Sequence, residues 1–270
     1  MRGISRASLA EVEARLEPLT DDPAAAADLG NELFAVAGVL ASQPALRRAL
    51  GDLSRPADAR GALARSVFAG KVSDDALGIV AAVARAQWSA AGDLTDAVEQ
   101  MAVQCVAAAA EATNHLDELE DELFRFGRIV ASSPELRIAL TNPFASAQAK
   151  QELLSGLLAD RVTPESLRLI TEAATSPLGR SLDVSLEEYA RLAAQRRERL
   201  VAEVHVAVPL TDQQRVRLAS ALAAEYGHQV HLNVVIDPKV AGGMTVRVGD
   251  ELIDGSIATR LATARRRLVA

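Results

Sequence analysis

Apolar residues recur at helical spacing along most of this chain, and the period changes only near residue 200. Leu9, Val12 and Leu16 share one face, and Ser8 with Glu11 has capping-box spacing. This predicts a first helix starting at Ser8 and ended by Thr20-Asp21-Asp22-Pro23. Leu29, Leu33, Val36 and Leu40 predict a second helix, broken by Pro44 and followed by a short apolar turn to Leu50 and a loop from Gly51 to Pro56. A third helix carries Leu63 and Val67, and a fourth starts at Ser73 and Asp74 with Leu77, Val80 and Ala84 on one face. After Gly92, Asp93 opens a long alanine-rich helix to about Thr113.

The pattern then returns. ELFAVAGVLASQPALRRAL at 32–50 aligns without gaps to ELFRFGRIVASSPELRIAL at 122–140, with ten of the nineteen positions identical and Pro44 matched to Pro134, an offset of 90 residues. The stripe repeats as Leu119, Leu123, Phe126 and Val130, then Leu153 and Leu157, then Leu167 and Ile170. A fixed offset through proline-punctuated sequence is not low complexity. It predicts two copies of one helical unit, with the helix near 94–113 ending the first and starting the second, each copy extending the core of its neighbour.

In the second copy Thr163 caps a helix with Pro164 in its first turn, and Pro177 and Gly179 end it. The last long helix runs from Asp183 to about Arg199 with Leu186, Tyr189 and Ala193 on one face. Val201, Val204, Val206 and Val208 then suggest a strand with imperfect alternation. Thr211 caps a helix with Val216, Leu218, Leu222 and Ala223, and 231–236 reads as a strand. From Asp237 the punctuation is dense: Asp237-Pro238 closes that strand, Gly242-Gly243 opens the alternating Met244, Val246 and Val248, and Gly249-Asp250 turns back into Glu251-Leu252-Ile253. Asp254-Gly255-Ser256 stops that strand, and Ser256 caps a helix with Ile257, Leu261, Ala264 and Leu268 on one face. The predicted fold is mainly α with a C-terminal α+β domain: two tandem helical bundles at 1–105 and 106–200, then a β-α-β-β-β-α unit at 201–270.

Composition narrows the function. A net charge of −7 argues against a nucleic-acid partner, which needs a basic surface. One cysteine, Cys105, excludes an internal disulfide and reads as a small buried hydrophobe. No apolar run approaches the ~20 residues that span a bilayer. The opening MRGISRASLAEVEARL carries charges throughout, so no secretory signal is expected, and any membrane link is expected through a partner. No nucleophile stands with a base, no lysine follows the glycines, and His228 and His231 fall on opposite faces of a strand, so no catalytic set, metal or cofactor is expected. Trp88, with Leu178 at the repeat position, fits either core or a groove. The acidic run Asp117–Glu122 reads as a solvated helix face, and Arg265, Arg266 and Arg267 suit either a helix C-terminus or an acidic partner.

Ile236, Asp237, Gly242, Gly243, Arg247, Gly249, Asp250, Ile253, Asp254, Gly255, Ser256, Arg260 and Leu261 form a long ungapped pattern. It resembles the C-terminal signature of the delta (OSCP) subunit of F-type ATP synthases. The usual chain of that family matches residues from about 100 onward. The first copy is extra, as in a long, actinobacterial-like form. The resemblance implies a non-catalytic connector of the peripheral stalk, on the cytoplasmic face of the cell membrane, without a cofactor and not expected to form homo-oligomers. Its helical bundle would hold the N-terminal helix of an alpha subunit, and its C-terminal domain would hold the b subunits. The family's groove, between the first and fifth helices, falls here on Val103, Val106, Ala110, Ser166, Leu167, Ile170 and Ala174. The duplication adds a second candidate groove at Ala76, Leu77, Val80 and Ala84. Core packing is the bland reading of the same apolar positions. A free-standing helical scaffold or regulatory protein is the alternative for the whole chain.

Overall fold

The computed structural model describes residues 3–176, 178–197, 200–226, 230–237, 243–248 and 251–254. They form two compact units that divide between Arg197 and Glu198.

The first unit is helical: α1 (Gly3–Leu16), a 3-10 turn (Glu17–Leu19), α2 (Pro23–Ser42), α3 (Pro44–Leu50), α4 (Ala57–Phe68), α5 (Asp74–Arg85), α6 (Ala91–Ala112), α7 (Leu116–Ser132), α8 (Pro134–Thr141), α9 (Ala147–Leu158), α10 (Pro164–Thr175) and α11 (Leu182–Arg197). The repeat is visible in the boundaries, because α4 and α9, and α5 and α10, start and stop at the same offset of 90 residues. Ser73 and Thr163 cap α5 and α10, each accepting a bond from the N3 amide. A glutamate on the second helix of each copy reinforces the cap: Glu32 accepts from the Ser73 amide and hydroxyl, and Glu122 accepts from those of Thr163. The far ends are also treated alike. Buried Arg60 donates to the Arg85 carbonyl and buried Lys150 to that of Ala174, so a cation meets the last turn of each helix.

The stripe of α2 (Leu29, Leu33, Val36, Leu40) is buried, as is that of α7 (Leu119, Leu123, Phe126, Val130). Both belong to one continuous core running through residues 12–193. The expected boundary at 105 therefore divides α6, which the two copies share. Residues 97–110 of α6 are all buried, and a helix enclosed on every side is small or apolar nearly all round, as AVEQMAVQCVAAAA is apart from Glu99, Gln100 and Gln104.

Several details differ from expectation. Ser8 lies inside α1 and donates to the Gln87 carbonyl, because the helix already starts at Gly3 and capping-box spacing recurs by chance in polar sequence. The turn after Pro44 is the helix α3. In α4 the buried apolar side chains are Ala64 and Phe68, with Leu63 and Val67 only partly covered. Helix α2 meets the length and hydropathy of a membrane span, contrary to the reading that no run approaches it; its apolar surface is divided between two packed strips described below. Pro177 lies outside the described residues, while Gly179 takes a left-handed φ of 79° between α10 and α11.

The second unit holds β1 (Leu200–Val206), α12 (Asp212–Tyr226), β2 (Val230–Ile236), β3 (Met244–Val248) and β4 (Glu251–Asp254) in one sheet of order β2-β1-β3-β4. The α12 crossover makes β1 and β2 parallel, and β3 runs antiparallel to both β1 and β4. Ala202, Val204, Val206, Val246 and Val248 share the buried face with Leu222 of α12. Val208 continues the even-numbered buried set but lies beyond the end of β1 and is exposed. The order of elements along the chain, β-α-β-β-β, matches expectation. The helix expected from Ser256, with Ile257, Leu261, Ala264 and Leu268, falls outside the described residues.

Candidate interaction surfaces

The α6 and α10 residues named for a groove are brought together, but in the core. Val103, Val106, Ala110, Ser166, Ile170 and Ala174 are buried, and Leu167 is partly covered. Ser166 also belongs to the α10 cap, its hydroxyl accepting from Thr163 at 2.8 Å. Helix α10 packs on α6, α7, α9 and α11, and α6 is also covered by an extensive contact with α2.

Helix α2 achieves this with a second strip, Ala26, Gly30, Phe34 and Ala37, turned away from its first stripe and equally buried. At Gly30 an added Cβ would stand 3.1 Å from the Cys105 Cβ, 3.2 Å from the Ala102 carbonyl oxygen and 3.4 Å from Val106, so glycine here sets how closely the helices approach. One residue on, the Asn31 amide oxygen accepts from Arg168 Nε of α10 at 2.7 Å. The same guanidinium lies over the Phe34 ring at 4.7 Å, and that ring packs at a tilt on Tyr189 of α11. Gly30, Asn31, Phe34 and Arg168 are the contact residues that sequence reasoning missed. Position 34 does stand in the aligned repeat against Phe124. The two rings differ, Phe34 being 3% and Phe124 59% exposed, which only tertiary packing could reveal.

The second candidate groove fares similarly. Ala76, Leu77, Val80 and Ala84 are buried, in an α5 that packs against α1, α2, α4 and α6. Trp88 is core, its indole N–H donating to the Val83 carbonyl.

Polar contacts bind the shared helix to α11. Glu99 of α6 is 3% exposed and accepts from the Tyr189 hydroxyl at 2.6 Å and from Arg180. Burial raises its carboxyl above the usual range despite both donors, and burial likewise raises neighbouring Asp96. Buried Arg196 of α11 bonds Glu111 of α6 at 2.6 Å and meets Glu17 at 3.5 Å. The Cys105 thiol is buried and pushed up to about 12 by desolvation, so it is a packing group, not a nucleophile.

In the second unit, the Asp237 amide donates to the Val206 carbonyl, tying the end of β2 to β1, and its carboxylate lies 3.9 Å from His205. Gly243 has φ 82°, a left-handed conformation at the entry to β3 that a side chain would strain. Arg247 is exposed beside its register partner Glu203. Asp254 ends β4. Gly242, Gly249, Asp250, Gly255, Ser256, Arg260 and Leu261 lie outside the described residues, as do His228 and Arg265–Arg267.

Among the described residues no group of three or more His, Cys, Asp or Glu is arranged to hold a metal. The fold defines a class: a helical-repeat body followed by a small α+β unit. The family model described as "ATP synthase delta (OSCP) subunit" matches residues 98–268. "ATP synthase subunit delta" of Streptomyces avermitilis is 47% identical over 269 residues, covering 99% of this chain and 98% of that protein. The proteins of the same name from Streptomyces coelicolor and Thermobifida fusca are 48% and 47% identical, the first covering 100% of this chain and 99% of its own, the second 99% of each. A chain of the Toxoplasma gondii mitochondrial ATP synthase hexamer aligns over 62% of this chain and 95% of its own at 24% identity, with a TM-score of 0.26, too low to carry a comparison. The chain belongs to the ATP synthase delta (OSCP) subunit family, structural and non-catalytic components of the stator in a membrane-bound complex. The family model starts inside α6, whereas the full-length relatives also match the first copy.

Proposed function

We propose that this chain clamps the catalytic head of ATP synthase to its peripheral stalk, the helical unit holding the N-terminal helix of an alpha subunit and the α+β unit holding the b subunits, on the cytoplasmic face of the membrane. The observation that carries this reading is the family match through most of the second copy and the whole α+β unit. The physics agrees. Synthesis by rotation requires the head not to turn with the rotor, and resisting that torque needs two durable interfaces on a stiff body, not proton transfer. A continuous core through both helical copies supplies such a body. Helix-in-groove contact is an economical way to hold a partner helix. The exposed Phe124, Ile138 and Phe144 of the second copy add apolar surface outside that core. Titrating the full chain separately with synthetic peptides of the alpha N-terminus and the b C-terminus tests the reading. Each peptide should bind at its own site without competition. Failure of both to bind would remove it.

A further inference from the structure

The two helical copies share their boundaries but not the surface around their third and fourth helices. We propose that the α3–α4 segment of the first copy docks a carboxylate-bearing helix of a neighbouring protein. This surface is additional to the two interfaces proposed above and lies outside residues 98–268, where the family model matches.

Between residues 47 and 71 the chain carries Arg47, Arg48, Arg55, Arg60, Arg65 and Lys71 against Asp52 and Asp58, a net charge of +4 in a chain of −7. At the 90-residue offset, 137–161 carries Arg137, Lys150 and Arg161 against Glu152 and Asp160, a net charge of +1. The cations of the first copy lie along one continuous segment whose two helices pack together. Asp52 pairs with Arg55 at 3.4 Å and Asp58 with Arg85 at 3.3 Å. Arg47, Arg48 and Arg65 have no carboxylate within 4 Å among the described residues. Arg60, 2% exposed, donates to the Arg85 carbonyl and likewise meets no carboxylate, so it adds an uncompensated charge beneath them.

Cations suit a helix C-terminus, and Arg48, Arg65 and Arg85 stand in the last turns of α3, α4 and α5. The second copy shows that the fold does not need them there. Their counterparts are Ile138, Ser155 and Thr175, and α8, α9 and α10 end without a basic residue in the last turn. Where the first copy has Arg48 and Ser54, the second exposes Ile138 and Phe144. One ancestral surface has thus become basic in one copy and apolar in the other, over cores of the same pattern.

The cation chemistry selects the partner. Five of the six are arginine, whose planar fork grips a carboxylate through two parallel bonds, and arginine is enriched at protein interfaces where lysine is depleted. Binding a lipid surface takes an apolar face that sinks below the headgroups. Leu53 is the one large apolar side chain exposed between 44 and 71. A helix with aspartate or glutamate along one side would both satisfy the arginines and cover Leu53.

The test titrates the full chain with three probes: a synthetic helix carrying glutamates along one face, the same helix with glutamines, and vesicles of phosphatidylglycerol. The glutamate helix should bind, and the other two should not. R48Q with R65Q should weaken that binding about tenfold, whereas R137Q with R161Q, which removes equal charge from the second copy, should change it less than about twofold. Equal loss from both pairs would show a response to total charge and overturn the proposal. So would equal binding of the glutamine helix, failure of the glutamate helix to bind, or binding of the vesicles through Arg48 and Arg65 in its place. Both arginines are exposed, so thermal melts of their variant should match the parent. The unaltered chain gives a second measurement: raising salt from about 0.05 to 0.3 M should weaken the glutamate helix about tenfold, and an affinity indifferent to salt would refute the docking. None of these probes is an alpha or b peptide, so the two interfaces of the proposed function stand or fall separately.

Discussion

Two glycines on α2, eight residues apart, face opposite circumstances. Gly30 touches α6, while Gly38 has nothing within 4 Å of its Cβ position. Gly30→Ala forces apart a contact whose nearest atoms include a backbone oxygen, and should cost about 1–3 kcal/mol. Gly38→Ala meets open space in a helix interior and should add about 0.5–1 kcal/mol. Urea unfolding of both variants checks the pair, and a shared sign would show that helix propensity, not packing, governs position 30. Glu99 offers a test in pH. Its folded carboxyl titrates above the ordinary range, so between the unfolded and folded values the native chain keeps a proton that the unfolded chain has lost. Its contribution is full below about pH 4–5 and declines as pH rises through that window. Glu99→Gln should flatten the fall in unfolding free energy from about pH 4.5 upward. Superimposable slopes for parent and variant would remove Glu99 from this account.

At the scale of elements, each copy fastens the start of its fifth helix with a glutamate from its second. Glu122→Ala strips Thr163 of a partner and should cost about 1 kcal/mol. Glu32→Ala should cost less, because the Ser73 contacts are exposed whereas those of Thr163 are part-buried. Thermal melts of the two variants measure the difference, and a larger loss for Glu32 would contradict it. The sequence disclosed much at this scale. The 90-residue offset, the caps at Ser73 and Thr163, and the stripes of α2 and α7 were all legible, because propensity, capping and amphipathic period act locally. Grooves were not. Val106 and Ile170 look alike whether a partner or the chain's own helices cover them, and α2 hides its second strip in small residues, Ala26, Gly30 and Ala37, that no hydrophobic period singles out. Capping-box spacing at Ser8 misled for a related reason: local chemistry cannot report that a helix already runs through it.

For the molecule as a whole, the shared α6 decides how the first unit comes apart. Neither copy has a core of its own, since one cluster runs through residues 12–193. Residues 3–197 should therefore unfold in a single transition, which hydrogen exchange across α2 and α7 would report as one opening free energy. Separate free energies for the two helices would show that the copies are independent bodies after all.

A mechanical corollary belongs to that same helix. Two bundles strung on a linker would flex at the linker, but two bundles with a common spar have no hinge between them. A pull on the first half is passed to the second through the backbone of α6 and the Arg196 and Glu99 ties across it. Residues 3–197 should behave as one stiff strut, and its compliance should rise only when the spar itself is cut.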